Sequence, residues 1–518
     1  MRETLRIMLA LALGATAGQA FGCTAGSVVE RRPHGEAASG AEDGLAGVKV
    51  SDGRQLAVSD AQGRWRLPAP AQGPVFMIKP PGHAVPAGAD GLPDFWRPVD
   101  AADCDFALVP AEDAAGAPLE VLVFADPQAG NAREAEYYGA DVVAPLQDGH
   151  RARLGVGLGD IANDDLSLYP AINAWTTRLG VPWLHVAGNH DLDAGVADDA
   201  DSLRTFRRVY GPDTFAWEEP EAVFIGLDDV IALPGQRPAY IGGLRGDQFD
   251  FLEAYLASLP RERLLVLMLH IPLFDTSADA ATFRPADRQR LFRLLERFPH
   301  VLVLSGHRHV LQHRFHGVAE GWRGERPLHE FNVGAVSGAF WSGVADAMGI
   351  PDATMADGTP NGHALLRIGE GGDYALDWVP ARVPADDPAF TAAMRLHAPR
   401  TLRRGAYPAW GVYANVFMGL DDTRVEFRIG DGEWRPMRRV SAPDPWLATE
   451  NARDDLAAQP RGFDRSPEAV PSTHLWRGAL PTALDPGEHR IEVRAFDRWN
   501  GERRAATSYR LVDLGDEP

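Results

Sequence analysis

This 518-residue chain is short of positive charge, with Lys+Arg 51 against Asp+Glu 72 and a formal net charge of −21. That balance disfavours the clustered cationic surface that nucleic acid or an anionic membrane requires, so no nucleic-acid partner is expected. Cysteine is scarcer still: Cys23 and Cys104 are the only two. Neither a disulfide framework nor an all-thiolate metal site can therefore organise the chain. Long apolar runs are missing as well, and the N-terminal stretch "IMLALALGATA" is too short to span a bilayer. No repeat period is visible, so the β-rich ends are not one duplicated unit.

What is present starts with Arg2 and Arg6, that apolar stretch, and small residues at Gly18 and Ala20. This is the pattern of an export signal over residues 1–22, and it predicts a periplasmic or extracellular protein with no transmembrane segment in the mature chain. "AFGC" loosely resembles a bacterial lipoprotein box but lacks Leu three residues before the Cys. An outer-membrane lipid anchor at Cys23 is thus the minor reading. Three fates are open to the cysteines: Cys23 leaves with the signal, it is acylated, or it pairs with Cys104.

The length predicts roughly two to four domains. Residues 23–43, rich in Gly, Ala and Glu, read as a linker. Short alternating segments broken by Asp52-Gly53 and Gln62-Gly63 predict a small β-sandwich over 44–112. From 119 to 382 nearly all-apolar strands alternate with amphipathic helices, among them "LRGDQFDFLEAYLASL" and "RPADRQRLFRLLERF". That texture predicts an α/β domain whose sheet is covered by helices. A second β-rich domain follows at 395–515, with a loop-rich, Pro-rich middle from 441 to 473.

The polar residues of the central region gather where apolar strands end, the position at which open α/β sheets hold ligands. In order they are Asp126 and Gln128 in "ADPQ", Asp160 in "GLGD", Asn189, His190 and Asp191 in "AGNHD", His270 in "MLHIP", and His307 with His309 in "GHRH". None is Cys. A set of carboxylate, amide and imidazole suits two divalent cations of hard or borderline character. Glycines at 159, 188 and 306 let the backbone turn sharply beside them.

"GD", "GNHD" and "GHRH" in this order, with a solitary His strand between the last two, resemble the calcineurin-like metallophosphoesterase family. "SDAQGRW", "DGTPNGHALL" and "PSTHLWRGALPTALDPGEHRIEVRAFDRW" are similar to its exported bacterial subgroup, in which β domains flank the phosphoesterase domain. The resemblance implies an αββα-type sandwich and a phosphoric ester hydrolase. It assigns Asp126, Gln128 and His309 to one metal, Asn189, His270 and His307 to a second, and Asp160 as the bridge. The ions would be Mn, Zn or Fe. His190, next to a ligand without being one, would donate a proton to the leaving oxygen after a hydroxide held between the metals attacks phosphorus in line. Family members usually carry Asp-x-His where this chain has "DPQ", so the first metal has a weaker ligand. The partner of His190 lies among Asn163, Asp164 and Asp165, with Asp164 the chosen residue.

The expected substrate is a phosphorylated small molecule, lipid or glycan. A pyrophosphatase or nucleotidase is a rival within enzymes, and an envelope- or glycan-binding protein with an inactive central domain is the rival outside them. Arg308 reads as a surface residue, His313 and His316 as a solvated face. Phe340 and Trp341 read equally as pocket wall and as core.

Overall fold

The computed structural model describes residues 22–31, 43–111, 116–276 and 280–513. The proposed export signal therefore lies outside the described residues, apart from Gly22. Among those residues no helix is long and apolar enough to cross a membrane.

The central region is two sheets face to face. One runs, edge to edge, Trp183–Val186, Leu154–Leu158, Leu119–Phe124, Gly362–Ile368 and Tyr374–Pro380. The other runs Thr214–Glu218, Ala222–Leu227, Leu264–Met268, Val301–Ser305, Leu328–Asn332 and Gln312–His316. The first is parallel over its first three strands and antiparallel over the rest, and the second has a parallel centre with an antiparallel strand at each edge. Strand alternation explains the layering. Val121 and Val123 point into the core shared by the two sheets, whereas Leu122 and Phe124 join Ala135, Tyr138 and Ile172 of helices Ala132–Tyr138 and Tyr169–Thr176. Helices Gly246–Ala257 and Pro285–Leu295 bury Phe251, Leu252, Leu291 and Leu295 with the second sheet. Both faces of each sheet are thus covered, which is why the strands read as apolar throughout.

The flanking regions are β-rich. The N-terminal one holds a five-stranded and a four-stranded sheet. It docks on the centre through Phe95, edge-on to Phe215 and Trp217 at 5.9 and 5.8 Å, and through Lys49 to Glu218 at 2.8 Å. The C-terminal one also has a four-stranded and a five-stranded sheet, closed over Val412, Phe427, Trp476 and Ile491.

Three expectations are corrected here. Residues 23–43 are not all linker, because Ala25–Glu30 is a strand. It pairs in parallel with Phe106–Pro110, a distant partner that no local pattern reveals. The loop-rich stretch 441–473 contains the helix Pro445–Leu456, started by Asp444, whose carboxylate accepts from the Trp446 and Leu447 amides. His313 and His316 do not form a solvated face. His316 is buried and 2.7 Å from Glu330, and His313 stacks on Phe331 at 4.4 Å.

Cys23 and Cys104 pair, which selects one of the three fates open to them. The bond closes a loop with a sequence separation of 81. Cys23→Ser is expected to lower the unfolding free energy of the N-terminal region by about 2–4 kcal/mol. A denaturation midpoint that neither the substitution nor dithiothreitol moves would refute the pairing.

Candidate metal centre and active site

The apolar strands deliver their terminal residues to one rim. Asp126 follows Leu119–Phe124, Asp160 follows Leu154–Leu158, Asn189 follows Trp183–Val186, His270 follows Leu264–Met268, and His307 and His309 follow Val301–Ser305. Because five of these strands are parallel within their sheets, their C-terminal ends point the same way.

Asp160 is the hub. Its Oδ2 lies 3.2 Å from His270 Nε2 and 2.9 Å from Gln128 Nε2, and its Oδ1 accepts from the His190 amide at 2.8 Å. His270 Nε2 is also 3.1 Å from Asn189 Oδ1 and 3.2 Å from His307 Nδ1. Asp160, His270 and His307 form a candidate metal site, their ligand atoms all within 4.8 Å of one another. On the other side His309 Nε2 lies 3.5 Å from Asp126 Oδ1, and both Asp126 oxygens accept from the His307 amide. All seven proposed ligands therefore sit in one contact network.

Electrostatics show what the cluster suits. Burial would raise the Asp160 pKa, yet the imidazole of His270 and the contacts from His190 outweigh it and hold the carboxyl below its ordinary value. Burial would likewise depress His270, but Asp160 and Asp126 raise it. Two buried carboxylates thus draw positive charge to this point. Gln128 Oε1 is buried without a hydrogen-bond partner, and a half turn of the amide would aim it at the centre. Acceptor-rich, nearly dry and holding an unmatched oxygen, the donor set fits divalent cations.

The backbone is bent to make this arrangement. Asp126, Gln128, Asp160, Asp164, His307 and His309 all have positive φ, between 40° and 74°. Of nine such non-glycine residues among those described, eight lie in the site or on the loop at 340–341 beside it. Each costs on the order of 1–3 kcal/mol and persists only where its surroundings enforce it, a signature of functional sites. Glycine allows the remaining close approaches. A Cβ on Gly159 would meet the Gly188 amide at 2.6 Å, and one on Gly188 would meet Asp160 Oδ1 at 2.2 Å.

Family models match nearly the whole chain in three consecutive pieces. "N terminal of Calcineurin-like phosphoesterase" covers residues 33–111, "Calcineurin-like phosphoesterase" 119–311, and "C terminal of Calcineurin-like phosphoesterase" 330–502. With the three matches together, the chain belongs to the calcineurin-like phosphoesterase family. It is 32% identical over 157 residues to a probable cyclic nucleotide phosphodiesterase of Synechococcus sp., a match spanning 29% of this chain and 55% of that protein. Among solved structures it is similar to a dimetal phosphatase from Danio rerio, with a TM-score of 0.36, 15% identity, and 51% of this chain and 97% of that one covered. It is also similar to a purple acid phosphatase from yellow lupin (Lupinus luteus) seeds, with a TM-score of 0.38, 13% identity, and coverage of 64% and 72%.

In this calcineurin-like phosphoesterase His190 stands beside the ligands without joining them. Its Nδ1 bonds Asp164 Oδ1 at 2.8 Å, and its side chain is 27% exposed. Of the three candidate partners at 163–165, Asp164 is the one in contact.

One member of the surrounding layer, Asp229, went unread in the sequence. Asp229, buried, accepts from the amides of His270 and Ile271, and burial pushes its pKa up to about 8. Its signal was available: "FIGLDD" ends an apolar strand just as "GVGLGD" does. Asp191 ties the Ile161 and Gly188 amides and the Tyr169 hydroxyl together. Burial and the nearby Asp160 charge raise its pKa to about 6. The Leu158 and Gly338 carbonyls meet His270 Nδ1 and His309 Nδ1 at 2.8 and 2.7 Å, leaving each Nε2 to face the centre. Trp341 is buried and donates to the Pro127 carbonyl, bracing the "DPQ" turn, while Phe340 is exposed at the rim. Arg308, expected at the surface, is half-buried and bonds Gln312.

Proposed function

We propose that this chain is a metal-dependent hydrolase of phosphate esters, with His190 as the general acid and Asp164 as the residue that orients it. The observation that carries the reading is one rim on which seven ligand side chains meet and a solvent-facing imidazole is aligned by a carboxylate.

Asp126, Gln128 and His309 would hold one ion and Asn189, His270 and His307 the other, with Asp160 between them. Two divalent ions, when bound, neutralise phosphoryl oxygens and lower the pKa of bound water toward about 7. The chain's own residues do the rest. Asp164 accepts a hydrogen bond from His190 Nδ1–H, so Nε2 is the nitrogen free to reach a substrate. A protonated His190 hands its Nε2 proton to the departing oxygen. The amide of His190, bonded to Asp160, fixes this donor relative to the ligands. Carbonyls on His270 and His309 keep those rings in one tautomer, so neither competes as the acid.

Export belongs to the same reading. The Cys23–Cys104 pair supports it, because such bonds persist outside the reducing cytosol.

The test is metal content together with hydrolysis of p-nitrophenyl phosphate and bis(p-nitrophenyl) phosphate, in protein loaded with Mn, Zn or Fe. About two ions per chain and turnover abolished by chelation are expected. Metal-free protein with background turnover would leave a binding protein on a phosphoesterase scaffold.

A further inference from the structure

The rim opens into a groove of about 1060 Å³, whose far wall belongs to the C-terminal region. His307, His309 and Phe340 line the near side. Helix Pro445–Leu456 and the segment after it supply the far side, including Phe463, Arg465 and Ser466.

This wall is built into place. Asp444, which starts the helix, accepts from Asn415 Nδ2, and the same amide donates to the Asp357 carbonyl. Asp357 Oδ2 in turn accepts from the amide of Leu311, two residues beyond His309, and lies 3.1 Å from His474. A buried polar chain thus runs from the "GHRH" loop to the helix across the groove. Gly358 lets it close, since a Cβ there would meet Asp444 Cβ at 2.5 Å.

Two features describe what would occupy the groove. Aromatic faces are offered to it: of the three exposed phenylalanines among the described residues, Phe340 at 55% and Phe463 at 75% both line it. The Phe340 ring lies 4.7 Å from the His309 ring, beside the proposed metals, on backbone held at φ 56°. Charge gives the second. Arg308 and Arg465 are opposed by Asp455, Asp464 and Glu468, which is 2 − 3 = −1, and Arg465 is already paired with Asp455 at 2.5 Å. Away from the metal ligands this wall is therefore close to neutral, which suits an uncharged group.

Resting on the phosphoester reading above, we propose that the substrate is a phosphodiester with a flat, uncharged ring on one ester arm, which stacks on Phe340 and reaches the wall at Phe463. A groove of this size holds a drug-sized group, whereas a small monoester would leave most of it to water.

The experiment measures KM and kcat for bis(p-nitrophenyl) phosphate in wild type, Phe340→Asn and Phe463→Ala, with the inhibition constant of inorganic phosphate as control. Asn tolerates the left-handed backbone at 340, and Phe463 is too exposed for its loss to unfold the chain. Each substitution is expected to raise KM about tenfold, within the range of ring stacking, with kcat and phosphate inhibition little changed and Phe340→Tyr restoring KM. Active wild type with KM unmoved in both variants would overturn the proposal. Wild type inactive in every metal would instead remove the phosphoester reading, and this proposal with it.

Discussion

His190→Gln lowers kcat for phosphate-ester hydrolysis by about 10²–10⁴-fold, the usual contribution of a positioned acid, with metal content and KM near wild type. Glutamine preserves bulk and one hydrogen bond to Asp164 but has no proton to release at neutral pH. The effect falls on kcat because His190 makes no ligand contact: its side chain bonds Asp164, and only its amide touches Asp160. The backbone that places the ligands survives the change. A second readout separates chemistry from structure. The deficit should shrink with substrates whose leaving oxygen needs no proton, such as p-nitrophenolate, and grow with alkyl esters. A uniform loss across leaving groups, or loss of metal, would make His190 structural.

Asp160→Asn has the opposite signature. Bound metal falls well below two ions per chain and activity drops to background at ordinary metal concentrations. Loss of residues that merely support ligands costs 10–100-fold in metal affinity, so removing charge from the hub costs more. Its carboxylate meets His270, Gln128 and the His190 amide at once. Metal added to wild type should raise the thermal midpoint, by linkage of about 2.7 kcal/mol at a hundredfold excess over Kd. In Asp160→Asn that rise should vanish. A variant with full metal content and near-normal turnover would remove Asp160 from the centre and the bridging assignment with it.

Much of this site was legible before any coordinates, and the reason is local. A parallel strand buried on both faces is apolar throughout, so the first polar residue after it marks the rim; "GLGD", "AGNHD" and "GHRH" stand out for that reason. His313 and His316 misled because "QHRFH" is polar in every local sense. Their burial comes from Glu330, Phe331 and His329 on the adjacent strand, partners that the sequence places 14 to 18 residues away. Residues 25–30 misled likewise, since the strands they pair with, Asp43–Gly44, Arg64–Arg66 and Phe106–Pro110, are all non-local.

Strand texture, the order of the ligand motifs and the family they resemble were thus written in the chain itself, because burial on two faces and metal-ligand chemistry both restrict residue types at short range. Tertiary structure decided the rest: which carboxylate turns to His190, which carbonyls orient the ligand rings, that Cys23 meets Cys104, and that the C-terminal region supplies a wall of the groove. These are meetings between segments far apart in sequence. They are set by how strands and sheets register against one another, and that register leaves no local mark.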